Sequence, residues 1–136
     1  MKILQKSAWT LLAAALLPAV AHHSFAMFDR TRTVLVDGTL YKIELVRPHS
    51  WYWVMAPDAS GKVVKWGAEG GGPQEGQSAT ASYFVPGVKV KLMLHPYRDG
   101  RLGGQFIQIT SEDGMKKMGG QVNFGDPTPP VSTPGK

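Results

Sequence analysis

Between Val88 and His95 apolar and polar positions alternate without a break: Val88, Val90, Leu92 and Leu94 on one phase, Lys89, Lys91, Met93 and His95 on the other. A period of two belongs to a strand with one buried face. Four further runs share that period or a β-rich composition: Thr33–Val46, Ser50–Ala56, Val63–Glu69 and Gly103–Thr110. Gly, Pro and Asp punctuate the gaps between them. Inside the first run Asp37-Gly38 predicts a bulge or bend, since alternation resumes at once. The turn PDASGK joins the second run to the third, and PYRDGR, with Asp99-Gly100 at its tip, joins the fourth to the fifth. The longer connection GGGPQEGQSATASYF, residues 70–84, has room for one helical turn. A turn at Asp113-Gly114 leads into a short MKKM segment, and no long helical period occurs anywhere in the mature chain.

Five strands with one longer interruption between the third and fourth predict an all-β fold, a small five-stranded antiparallel OB-like barrel. A β-sandwich lacking one strand is the alternative. Glycines 38, 67, 103 and 104 fall where a small barrel needs tight corners. From Gly119 onward GGQVNFGDPTPPVSTPGK is too rich in Gly and Pro to pack, which predicts a disordered tail over residues 119–136.

The start of the chain has a different character. Lys2 and Lys6 precede a short apolar core, Ala8–Leu17, and Ala19-Val20-Ala21 has the small-x-small form of a signal-peptidase site. The apolar stretch falls short of the roughly 20 residues that span a bilayer. The expectation is a signal peptide over residues 1–21, an N-terminal arm over 22–32, the barrel over 33–118 and the tail. The product is a periplasmic or secreted protein with no membrane span after cleavage. Removing residues 1–21 from 136 leaves 115, enough for one modest core. The formal charge falls from +5 to +3 with the loss of Lys2 and Lys6, too little to point to a polyanionic partner. With no cysteine in the chain, thiolate metal sites, haem attachment and cysteine nucleophiles are excluded.

AHHSFAMFD after the cleavage point, GTLYKIELVRPHSWYWV with its Pro-His-Ser-Trp, WGAE and HPYRDGRLGG together resemble DUF6152, a family of small exported bacterial proteins. The paired histidines and Pro-His-Ser-Trp are the most specific parts. The loop GGGPQEGQSATASYF departs from the family's pattern, lacking an Arg and a Trp expected there. The resemblance implies an exported, single-domain, barrel-like protein and supplies no activity.

Chemistry has to come from the side chains, and the four histidines, His22, His23, His49 and His95, are the pointed set. Several imidazoles without thiolate suit copper, with zinc as the alternative. Cleavage before His22 frees an amine that chelates a metal together with that residue's own Nδ1, an arrangement resembling the histidine brace of copper oxygenases and copper carriers. His49, between the first two strands, and His95, ending the fourth, are candidates for a third nitrogen. His23 offers a competing planar mode through the amine, the intervening amide and its own imidazole. Each mode needs an unprotonated amine, whose ordinary pKa is about 7.7–8.0, so both weaken as pH falls. Met27 and Met93 are secondary candidates as thioether ligands, and Glu69 as an oxygen ligand or as acceptor for a histidine N–H. The bland readings are a solvated start to the chain for His22 and His23, a turn-closing role for His49, surface exposure for His95, packing for the methionines and an ion pair for Glu69.

Trp51, Trp53 and Trp66 predict an aromatic face, the basis of an alternative function as a metal-free ligand- or protein-binding module. Nucleic acid is not an expected partner, given the export signal and small charge. The chain has no Gly-Lys-Ser/Thr, no Gly-x-Ser-x-Gly and no His-Glu-x-x-His, so no catalytic residue is nominated and catalysis is left open. The leading expectation is an exported copper-binding carrier or sensor-like module whose partners are the metal ion and a second periplasmic protein, its oligomeric state left open.

Overall fold

The computed structural model describes residues 25–119 and 131–132. The expected signal peptide, His22, His23 and most of the expected tail lie outside the described residues. Five strands carry the fold: β1 (Val34–Glu44), β2 (Trp51–Pro57), β3 (Val63–Glu69), β4 (Lys89–Pro96) and β5 (Gly103–Ser111). Each lies where the alternation predicts a strand. In β2 the phase Tyr52, Val54, Ala56 is buried, while Trp51, Trp53 and Met55 take the other face. In β4 the buried phase is Val90, Leu92 and Leu94.

The strands close on themselves. The first half of β1 pairs with β4, from Val34 opposite Leu94 to Thr39 opposite Lys89, and its second half pairs with β2, from Thr39 opposite Met55 to Glu44 opposite Trp51. β2 pairs with β3 and β4 with β5, both antiparallel. The ring is completed where β3 meets β5: Gly67 lies opposite Gly103, Ala68 opposite Gly104 and Glu69 opposite Gln105, in parallel. The result is a closed five-stranded all-β barrel in the order β1-β2-β3-β5-β4, and the wholly antiparallel arrangement expected from sequence is corrected at this one seam. Because β4 pairs back to β1, the hairpin return of β5 brings it alongside β3 in the same direction.

Local details follow from the closure. Asp37 and Gly38 pair regularly with Lys91 and Val90, so the bulge or bend expected there brings no register shift; the shift comes at Tyr41, between Leu40 and Lys42. Gly38 marks the bend where β1 passes from β4 to β2, and a Cβ there would sit 2.6 Å from Val54 Cγ1. A short helix, α1 (Gln77–Ala81), forms in the long connection between β3 and β4. Two short strands extend the sheet: β6 (Lys117–Gly119) beside β5, and β7 (Val131–Ser132) parallel to the start of β1. Two stretches of the expected tail, Gly119 and 131–132, therefore take part in pairing. Among the described residues no helix is long and apolar enough to cross a membrane.

The core inside the ring is built from Val36, Leu40, Val54, Leu92, Leu94 and Ile109, all essentially inaccessible to solvent. Burying each such side chain stabilises the fold by about 1.5–3 kcal/mol. Tyr52, 1% exposed, stacks its ring on Phe106 with centroids 3.6 Å apart. Its hydroxyl accepts a hydrogen bond from Gln77 Nε2 at 2.8 Å, tying α1 to the barrel.

Gly104 has no room for a side chain, since a Cβ would run into the backbone carbonyl of His95, whereas at Gly71 it would meet nothing within 4 Å. Gly104→Ala should lower the unfolding free energy by about 1–3 kcal/mol in urea titration, and Gly71→Ala by less than about 0.5 kcal/mol. Burial pushes the Tyr52 hydroxyl up to about 12 against the opposing hydrogen bond from Gln77. An unfolded tyrosine ionises at about 10, so above that pH the unfolded state loses its proton first and folding weakens as pH rises toward 12. Wild-type protein should lose about 2–3 kcal/mol across this window, and Tyr52→Phe should abolish that component of the alkaline loss.

Candidate metal centre on the outer face

Cross-strand register lines up four residues over the closing seam. Trp51 on β2 is opposite Glu69 on β3, Glu69 is opposite Gln105 on β5, and Gln105 is opposite His95 on β4. Directly paired residues point to the same side of a sheet. Trp51 belongs to the outward phase of β2, so this row lies on the outside of the barrel.

The outside is not bare here, because the N-terminal arm covers it. After a single 3-10 turn, Phe25–Met27, Phe28 bridges to Tyr97 and packs ring against ring at 5.1 Å. The Asp29 N–H donates to the Pro96 carbonyl at 2.8 Å. Arg98 donates twice to the arm, from its backbone N–H to the Met27 carbonyl at 2.9 Å and from Nε to the Ala26 carbonyl at 3.0 Å. Asp29 Oδ1 accepts from the Thr31 hydroxyl and N–H, and the hydroxyl bond foremost holds the Asp29 carboxyl below its ordinary value.

Between arm and barrel lies a cavity of about 280 Å³ with mainly apolar walls: Phe25, Met27 and Phe28 from the arm, Phe106 and Gln105 from β5, and His49 with Glu69 to Gly71. His49 reaches it from the β1–β2 connection, whose next residue pairs with the start of the glycine loop through Ser50 N–H to Gly71 C=O at 3.1 Å and Gly70 N–H to Ser50 C=O at 2.8 Å. His49 Nδ1 lies 3.0 Å from Glu69 Oε1. A carboxylate only accepts, so that nitrogen carries the proton and, in the neutral ring, the lone pair is on Nε2. Gln105 Oε1 is buried in the same wall with no hydrogen-bond partner among the described residues. The Glu69 carboxylate is also felt at Tyr97, whose hydroxyl is raised first by burial and then by that charge.

The structure separates the sequence-nominated residues. His49, Glu69 and Met27 line one cavity; His22 and His23 lie outside the described residues. Surface exposure does not hold for His95, which is 9% exposed. Its Nδ1 donates to the Arg32 carbonyl at 2.7 Å, so it is covered by the arm although it belongs to the polar phase of β4, and it does not line the cavity. Met93 does not line it either. Among the described residues no three His, Asp or Glu side chains gather into a group able to hold a metal ion. The aromatic face divides as well. Trp51 and Trp53 stack on the outside at 5.1 Å, but Trp66 pairs opposite Val54 and packs against the core. Trp53 is already engaged: its Nε1 donates to Glu44 at 2.8 Å and the Lys65 ammonium lies over its ring at 5.2 Å. Phe25, Phe28 and Gln105 were not nominated from sequence. Phe25 and Phe28 stand in the sequence only as apolar residues of a short run, Phe25-Ala26-Met27-Phe28, and a mid-strand glutamine carries no signal until its neighbours are known.

Phe28 is the apolar anchor of the arm. Phe28→Ala should cost about 3 kcal/mol and release the arm, which hydrogen exchange would register as faster exchange of the Asp29 and Arg98 amides while amides of β4 bonded within the barrel keep their protection.

The model of one protein family, described as a family of unknown function, DUF6152, matches residues 10–106. No curated protein and no solved structure matches the chain. The matched span contains the arm, the His49–Glu69 pair and Gln105, and covers more than half of the sequence; the chain belongs to the DUF6152 family.

Proposed function

We propose that this is an exported, periplasmic or secreted metal-binding protein, with copper as the preferred metal and zinc as its competitor, acting as a small carrier or sensor-like module. The observation that carries the reading is the His49–Glu69 pair in the wall of a cavity whose opposite wall is the N-terminal arm. An imidazole that gives its Nδ1 proton to a carboxylate presents Nε2 as a more basic and better oriented ligand, the usual support of a metal-bound histidine. In the sequence His22 stands three residues before Phe25, which lines the cavity. Processing before His22 would bring an amine and an imidazole to His49, and His23 supplies the competing planar mode. His95 serves this site by holding the arm through Arg32. The chain's partners in this reading are the metal and a second periplasmic protein that gives or receives it.

Gln105 Oε1 favours a second reading, in which a small apolar molecule bearing one hydrogen-bond donor fills the same cavity without metal. Native mass spectrometry of protein from the exported fraction separates the two by the mass of what is bound.

In the same preparation the first residue should be His22. Copper titration should give one site, weakened at least about tenfold by His22→Ala or His49→Ala, and about 10–100-fold by Glu69→Gln, which removes the charged acceptor behind His49. Affinity should also fall as pH drops below about 7.7, where the amine protonates. Unchanged affinity in all three variants would overturn the reading.

A further inference from the structure

Resting on the copper reading, we infer that the cavity takes copper as Cu(I), with the Met27 thioether and the His49 imidazole as its donors, and that Met27 makes the site selective for that oxidation state. Both residues line the same cavity of about 280 Å³. Thioether sulfur is a soft donor that adds little to Zn(II) or Cu(II) but binds Cu(I) well. The remaining wall is largely aromatic, from Phe25, Phe28 and Phe106. Such a wall opposes transfer of a doubly charged ion from water more strongly than a singly charged one. Among the described residues that line the cavity the one carboxylate, Glu69, is spent on His49 Nδ1 and offsets the single charge through the ring.

Met27 is placed for this role by its backbone. Its carbonyl is held by the Arg98 N–H at 2.9 Å and the preceding carbonyl by Arg98 Nε at 3.0 Å, with Phe28 anchored on Tyr97 immediately after. Met27 is nevertheless 40% exposed, more than a packing methionine would be. A pinned backbone with a flexible, accessible thioether lets the sulfur close over an ion without moving the arm. Met93 supplies the comparison, since it is a methionine on β4 that does not line the cavity.

The test is a pair of competition titrations on the exported, processed chain. One uses Cu(I) against a chromogenic Cu(I) chelator under reducing, anaerobic conditions, and the other uses Cu(II) against a Cu(II) chelator in air. Met27→Leu should weaken Cu(I) binding at least about tenfold and change Cu(II) binding less than about threefold. Met93→Leu should change neither, and His49→Ala should weaken Cu(I). Far-ultraviolet circular dichroism and thermal midpoint should be unaltered in Met27→Leu, because an exposed Met-to-Leu change preserves volume. A Met27→Leu protein that binds Cu(I) as wild type does, or that loses Cu(I) and Cu(II) affinity equally, overturns the inference. If Cu(II) still depends on His22 and His49 in that case, the copper reading stands without it. A wild-type chain that binds neither ion removes both.

Discussion

Two strands that run the same way must approach closely enough to exchange backbone hydrogen bonds, and in this barrel that demand falls on the meeting of β3 with β5. Gly67 faces Gly103 there, and the next step brings Gly104 against the carbonyl of His95. A Cβ at Gly103 would run into the Gly67 backbone of β3, one at Gly104 into the His95 backbone of β4, and one at Gly67 into the Trp53 ring, so the seam and its flanks leave no room for side chains at these three positions. Gly103 also takes a φ of 146°, a conformation that L side chains rarely adopt. Everything else inherits its place from this seam. The core is sealed because the ring is closed, and Glu69, after Gly67-Ala68 on β3, is carried into register with Gln105, after Gly103-Gly104 on β5.

A barrel this small has no second layer to bury its outer face, and the N-terminal arm acts as one locally. It converts His95, a residue on the polar phase of its strand, into a buried side chain with its proton committed to a backbone carbonyl. The arm is held by few groups, chiefly the Phe28–Tyr97 ring contact and the hydrogen bonds at Pro96 and Arg98. Each such hydrogen bond contributes about 1 kcal/mol, so the arm is a locally stable unit rather than part of the cooperative core. The cavity proposed for copper lies between these two units. His49 and Glu69 come from the rigid ring, and Met27 comes from the arm.

That division explains why the candidate centre looks sparse within the ring itself. One imidazole backed by one carboxylate is half of a ligand set, and the cavity's other wall is the segment leading back to His22 and His23. The glycine loop after Glu69 contributes backbone at Gly70 and Gly71 to the same wall, which leaves the cavity open beside His49.

Strand positions, the turns at Asp99-Gly100 and Asp113-Gly114, the helical turn in the long connection and the barrel class were all readable in the chain, because period-two burial and turn chemistry are local properties. The pairing direction of β3 and β5 was not, since alternation is the same for a parallel and an antiparallel neighbour. Nor was the bulge at Tyr41, which depends on the partner's register rather than on the Asp-Gly pair nearby. The sequence by itself determined the buried phase of β4 and which residue types are available for chemistry: four histidines, no thiol, and a carboxylate at the end of the third strand. Only the tertiary structure decided that His49 meets Glu69, that Gln105 stands between Glu69 and His95, that Trp66 turns away from Trp51 and Trp53, and that the arm buries His95. Those relations span tens of residues along the chain, and they are set by how the ring closes, which no local pattern encodes.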